Sequence, residues 1–161
     1  MAHHTATVDW QRGPDAFVDR RYHRSHAWQF DGGLQVPVSS SPQVVPVPMS
    51  DPAAVDPEEA FVAALASCHM LWFLDLACRD GWRVDRYRDQ AEGLLAPDAE
   101  GQLAVTEVCL RPTVWFDPAR TPTPAEHAAL HHRAHEACFL ARSVRSTLRC
   151  EPVLGTPGQE D

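Results

Sequence analysis

Five cysteines and nine histidines carry most of the chemistry this sequence could perform. The cysteines are Cys68, Cys78, Cys109, Cys138 and Cys150. Their number is odd, their spacings are wide and no Cys-x-x-Cys pair occurs, so neither a zinc ribbon nor a thioredoxin-type motif is supported. A thiol outside such motifs is most often a small buried apolar residue. To act as a nucleophile it needs a cation that holds its thiolate. Cys68, among Ala64, Leu65 and Trp72, is expected in apolar surroundings that disfavour the charged form. It also falls about three turns into a predicted helix, beyond the reach of the helix dipole. His69 follows it directly but points about 100° away around the helix, so it is a poor activator. An arginine brought from the strand region, always charged, is the better one. His127, His131 and His135 recur every four residues. Neighbouring pairs could bind zinc, but all three span about 12 Å and cannot meet one ion. No His-Glu-x-x-His motif is present. The commoner reading is an exposed polar helix face, and no metal is expected.

The elements that must position these residues can be read from periodicity and punctuation. Ala6, Val8 and Trp10 alternate with polar neighbours, as do His26, Trp28 and Phe30. Asp31-Gly32-Gly33 marks a hairpin turn before Leu34, Val36 and Val38. Residues 39–56 hold Pro42, Pro46, Pro48 and Pro52 and can be neither helix nor central strand; loops of this length are often functional covers. Asp56, Pro57 and Glu59 then form a helix start with a capping box. The run from Ala60 to Cys78 has no breaker, and Gly81 ends it. Phe61, Ala64, Leu65, Cys68, Leu71 and Trp72 share one face, and Val62, Ala66, Phe73 and Leu76 make the other apolar too, so this helix is expected to be central to the fold or to a dimer. Strands over Trp82–Leu95 and Leu103–Phe116 flank a turn at 97–101. Thr123-Pro124-Ala125-Glu126 opens a second helix running to about Cys138, and a last strand turns Val144, Leu148 and Cys150 inward. The order is that of an α+β domain.

The 161 residues suit one domain, with a core over about 5–152 and a frayed tail over 153–161. A hydrophobic fraction of 44% is ample for a core. The net charge of -8 argues against a nucleic-acid surface. All 14 basic residues are arginine, a compositional bias. The N-terminus lacks a signal-peptide stretch and no apolar run approaches a membrane span, so a cytoplasmic location with reduced thiols is expected.

Two segments together resemble the OsmC/Ohr family of thiol peroxidases. Pro57-Glu58-Glu59-Ala60-Phe61 through Ser67-Cys68 is similar to that family's cysteine helix, in which cysteine follows the glutamate by ten residues. Ala134-His135-Glu136-Ala137-Cys138 is similar to its Ala-His-x-x-Cys motif. The element order is also the family's, and the resemblance covers roughly residues 5–152. His69 after Cys68, where apolar residues are usual, and Phe139 after Cys138, where proline is common, mark a divergent subgroup.

The resemblance implies an OsmC-like fold with N-terminal strands, a long central cysteine helix, a β-hairpin, a second helix and a final strand, assembled as an intertwined homodimer. It implies reduction of small organic hydroperoxides, with Cys68 as the peroxidatic cysteine and Cys138 as the resolving one. Arg24, ahead of the Asp31 turn, is the match for the activating arginine, and Glu58 for the glutamate that positions it. No bound cofactor is expected. The reductant would be an external dithiol of the lipoyl type, a protein or a small thiol. Glu58 and Cys68 stand ten residues apart, about 15 Å along a straight helix. One arginine cannot easily touch both, so either the helix is interrupted or Arg24 and Glu58 come from a second chain. The alternatives are a non-catalytic binding module for hydrophobic ligands on the same fold, and a histidine-based metal binder.

Overall fold

The proline-rich segment, the two capping boxes and the turn glycines set the boundaries of the elements in the computed structural model, which describes residues 1–156. Its contacts divide the chain into two compact units, residues 1–60 and the remainder from Phe61 onward.

The first unit is an antiparallel sheet of β1 (Ala6–Asp9), β2 (His26–Phe30) and β3 (Gln35–Val38), in that order. Val8 pairs with Trp28, and Trp28 with Val36, so the expected alternation sets the register. The turn after β2 is closed by Gly33 N–H donating to the Phe30 carbonyl at 2.9 Å. The proline-rich loop is tied down rather than free. Val38 bridges to Val55, the buried Ser39 Oγ accepts from Asp51 N–H at 3.0 Å, and Arg24 N–H donates to the Met49 carbonyl at 2.7 Å.

Helix α1 (Pro57–Arg79) is unbroken over 23 residues. Both halves of its capping box form: Glu59 N–H donates to Asp56 Oδ1 at 2.7 Å, and Asp56 N–H to Glu59 Oε2 at 3.3 Å. At its far end Gly81 adopts φ +75°, Trp82 N–H donates to the Ala77 carbonyl and Gly81 N–H to that of Cys78, a Schellman closure. By length and composition α1 could cross a membrane, contrary to the expectation that no apolar run approaches that length. One row of it is buried: Leu65, His69, Phe73 and Ala77, at four-residue spacing. That row corrects the expected apolar face, because Ala64 and Leu71 are exposed. It also brings a histidine inward.

The rest of the second unit is built from two three-stranded sheets. The expected pair of long strands is divided in two. β4 (Val84–Asp89) pairs with β7 (Pro112–Phe116), and β5 (Glu92–Pro97) with β6 (Leu103–Leu110). After α2 (Pro124–Ala137) and a 3-10 turn at Ala141–Ser143, β8 (Thr147–Cys150) joins β6 and β9 (Val153–Leu154) joins β7, both in parallel. β9 lies where a frayed tail was expected; residues 157–161 of that segment lie outside the described ones. One core gathers Phe73 and Ala77 of α1 with Val114, Phe116, Leu130 and Ala134. Another sets Leu65 against Val108 and Leu110 of β6. A Cβ at Gly93 would come within 2.6 Å of Val62, so glycine is what lets β5 run this close to α1.

Candidate functional site

Cys68 is half-buried on α1, one position before the inward-facing His69. Cys138 is the C-cap of α2 and is 1% exposed. Seventy positions apart in sequence, the two thiols lie within hydrogen-bonding reach of each other. Burial, then contact with the Cys68 thiol, pushes the Cys138 thiol up to about 11, while the Ala141 N–H, 3.4 Å from its sulfur, acts in the opposite direction. Phe139 packs its ring edge-on against Trp72 at 5.3 Å and so roofs the end of α2 onto α1. This is a resting dithiol whose partners are already adjacent, the arrangement from which one sulfur can attack the other after oxidation.

The remaining cysteines differ. Cys78 is exposed, Cys109 is buried on β6 with its thiol pushed up by burial, and Cys150 lies among histidines.

In the first unit, Arg24 and Glu58 line one groove of about 480 Å³ with Trp10, Phe17, Tyr22 and Pro57. The Arg24 guanidinium sits 3.7 Å over the Tyr22 ring and donates to the carbonyls of Tyr22 and Arg20. Among the described residues it forms no ion pair with Glu58, the partner the family pattern implies. Tyr22 in turn stacks on Phe17 at 4.6 Å, and Trp10 meets both rings. Apolar walls around one held cation suit a small ligand with an apolar body and one polar group.

The largest departure from the sequence reading is a buried histidine chain. His127 and His131 are 3% exposed, where an exposed polar helix face was expected, and His69 is 1% exposed. His135, by contrast, is only partly buried. His69 Nε2 lies 3.0 Å from His131 Nδ1, and His131 Nε2 lies 3.1 Å from His127 Nε2. Phe73 stacks on His131 at 4.2 Å. Burial, with a smaller contribution from His135, holds His69 down at about 4; burial and the two neighbouring histidines hold His131 at about 3; burial lowers His127 as well. All three are therefore neutral at neutral pH. The signal for them was present: His69 falls at i+4 from Leu65 and i−4 from Phe73, and His127 and His131 share a stripe with Leu130 and Ala134.

The family model described as OsmC-like protein matches residues 50–152. An OsmC-like protein of unknown function from Vibrio cholerae is 48% identical, with a TM-score of 0.93 over 95% of this chain and 100% of the other. An organic hydroperoxide resistance protein from Elizabethkingia anophelis shares the fold at 16% identity, with a TM-score of 0.70 over 97% of each chain. The organic hydroperoxide resistance protein OhrB of Bacillus subtilis does so at 18%, with a TM-score of 0.61 over 94% of this chain and 98% of that one. No curated protein matches the sequence. A family model that takes in both cysteine motifs and a near-complete relative at 48% identity agree with the dithiol and its helices: this chain belongs to the OsmC-like family.

Proposed function

We propose that this chain is a thiol-dependent peroxidase that reduces small organic hydroperoxides. The contact between Cys68 and Cys138, made by two helices distant in sequence, carries the reading. The Cys68 thiolate attacks the terminal peroxide oxygen, the O–O bond breaks, and the alkoxide leaves as alcohol after taking a proton. Cys68 is then a sulfenic acid. The Cys138 sulfur attacks it, an S–S bond forms and water leaves. An external dithiol of the lipoyl type, small or protein-borne, reduces the disulfide and becomes oxidised in turn. The fold shared with two organic hydroperoxide resistance proteins supports this choice of substrate. The test is a steady-state assay with a dithiol, comparing an organic hydroperoxide with hydrogen peroxide. Faster consumption of the organic peroxide is expected, and no consumption of either refutes the reading.

Peptide mapping after one equivalent of peroxide is expected to show a Cys68–Cys138 bridge within one chain. A dominant bridge through Cys109 or Cys150 would remove Cys138 from the resolving role.

Arg24 is the proposed activating cation and Glu58 its positioning partner. Arg24→Ala is expected to slow the reaction of Cys68 with peroxide at least about tenfold, a rise of about 1.4 kcal/mol in the barrier. Glu58→Gln should cost less, and Arg20→Ala or Arg21→Ala should leave the rate within a factor of two or so. Stopped-flow measurements on each variant decide the assignment; an unchanged rate in Arg24→Ala sinks it.

The unbroken α1 removes the interrupted-helix alternative and keeps Glu58 and Cys68 about 15 Å apart along the axis. The same helix leaves Leu71 62% exposed. Both observations favour a homodimer in which one chain's arginine serves the other's thiol. Light scattering at micromolar concentration is expected to give the mass of two chains, and a monomer mass would overturn the shared arrangement.

A further inference from the structure

Three donor atoms from three elements of the second unit converge: His69 Nε2 on α1, His131 Nδ1 on α2 and Cys150 Sγ on β8. The two nitrogens are 3.0 Å apart, and the sulfur lies 3.8 Å from each. A tetrahedral Zn²⁺, with bonds of about 2.0–2.1 Å to nitrogen and about 2.3 Å to sulfur, needs donors about 3.3 Å apart between nitrogens and about 3.6 Å from nitrogen to sulfur. The observed triangle departs from one face of that tetrahedron by only a few tenths of an ångström. We propose that His69, His131 and Cys150 form a binding site for a divalent transition-metal ion of the zinc class, separate from the Cys68–Cys138 pair.

The surroundings fit such an ion. His131 Nε2, 3.1 Å from His127 Nε2, can donate its proton there and leave Nδ1 with a free lone pair, the usual outer-shell support of a ligating histidine. The two imidazoles now lie nearly in one plane, 6° apart, aimed at each other as a hydrogen bond requires. Loading the ion needs each ring to turn toward Cys150 and His69 to carry its proton on Nδ1. Cys150 gives up its thiol proton, so one proton is released per ion bound. Within the described residues, two shielded atoms on β4, Tyr87 Oη and Asp89 Oδ2, are among those without a hydrogen-bond partner. Asp89 is close enough for its charge to bear on Cys150 and on Tyr87. Asp89 Oδ1 already accepts from Arg111 N–H at 2.7 Å and the Arg111 charge acts on that carboxylate, so a 2+ ion would add its own attraction for a Cys150 thiolate and for the partnerless Asp89 Oδ2. Mixed nitrogen and sulfur donors select zinc or cobalt over magnesium or calcium.

The test is titration of chelator-treated, untagged full-length protein with Co²⁺, followed by competition with Zn²⁺. Saturation at one ion per chain is expected, with visible bands of tetrahedral cobalt and a near-ultraviolet sulfur-to-cobalt charge-transfer band, all abolished by Zn²⁺. Cys150→Ser should remove the charge-transfer band and weaken binding about 100-fold or more. His127→Ala should weaken it roughly 10- to 100-fold through loss of the outer-shell contact. The Cys68→Ser/Cys138→Ser double variant should bind as the parent does, whether or not the protein proves to be a peroxidase. If Cys150→Ser fails to fold, His69→Gln serves: it should keep the sulfur band while weakening Co²⁺ binding about 100-fold or more. A charge-transfer band that survives in folded Cys150→Ser, its loss in the double variant, or no saturable binding by the parent overturns the proposal.

Discussion

Cys68→Ser is expected to lower turnover of an organic hydroperoxide by at least about a thousandfold, or about 4 kcal/mol of activation free energy. The step that matters is attack by a soft anion on peroxide oxygen, and a serine hydroxyl is essentially never ionised at neutral pH and offers no sulfenic acid. Serine is close in size to cysteine and the position is only half-buried, so the fold should persist; circular dichroism checks that. Cys138→Ser is expected to behave differently. It should reduce one equivalent of peroxide and then stop, with Cys68 trapped as sulfenic acid or pushed on to sulfinic acid in excess peroxide. Mass spectrometry of the intact protein distinguishes the two outcomes. Residual turnover above about a tenth in Cys68→Ser, or full turnover in Cys138→Ser, would end the peroxidase assignment as drawn.

Phe73→Ala is expected to cost about 3–5 kcal/mol of stability, the usual range for emptying a buried aromatic position. Phe73 is fully buried. Its ring stacks on His131 at 4.2 Å and meets Tyr87 at 5.6 Å and Phe116 at 6.4 Å, so removing it opens a hole bordered by α2 and by both long strands of one sheet. The surrounding rings are held by other contacts and cannot close over the space. Domains of this size typically have about 5–15 kcal/mol in total, so the loss is a large fraction of what is available. At roughly 2–4 °C per kcal/mol the melting temperature should fall by about 10 °C. Leu103→Ala, at a position 71% exposed, should change stability by no more than about 0.5 kcal/mol. Urea midpoints for the two variants test this pair. A cost below about 1 kcal/mol for Phe73→Ala would mean that the row of residues 65, 69, 73 and 77 is not the face on which α1 packs.

Much of the fold was legible because it depends on local signals. Both capping boxes, the Asp31 turn, the glycine after α1 and the inward alternation of Leu148 and Cys150 act over a few residues, and each appears where the sequence places it. The face of α1 was not legible. A helix with apolar residues on every side gives no contrast from which to choose an inner face, so the choice is made by what packs against it. The four-residue row that wins includes His69, a residue type that polarity alone would assign to the outside. The same holds for His127 and His131: periodicity put them on one stripe, but only the sheet and α1 decide that this stripe is buried. The split of each long strand into two, serving different sheets, also depends on partners elsewhere in the chain. Cys68 and Cys138 were found through motif resemblance, since nothing in a seventy-residue separation foretells contact.

The parallel pairings of the last two strands have a consequence for synthesis. Thr147 pairs opposite Glu107 and Val153 opposite Thr113, each forty positions downstream of its partner and beyond an intervening helix. While the chain is being translated, β6 and β7 therefore emerge with one edge of unpaired amides and carbonyls each, and these edges stay bare until β8 and β9 follow. At roughly 5–20 residues per second the delay is roughly 2–8 s. That is long compared with the microseconds in which hairpins form, so β5–β6 and β4–β7 can close early and wait. During the wait, neighbouring nascent chains on one message present matching edges to each other. Crowded polysomes, or a stall after α2, are the conditions under which this protein would be most exposed to mispairing.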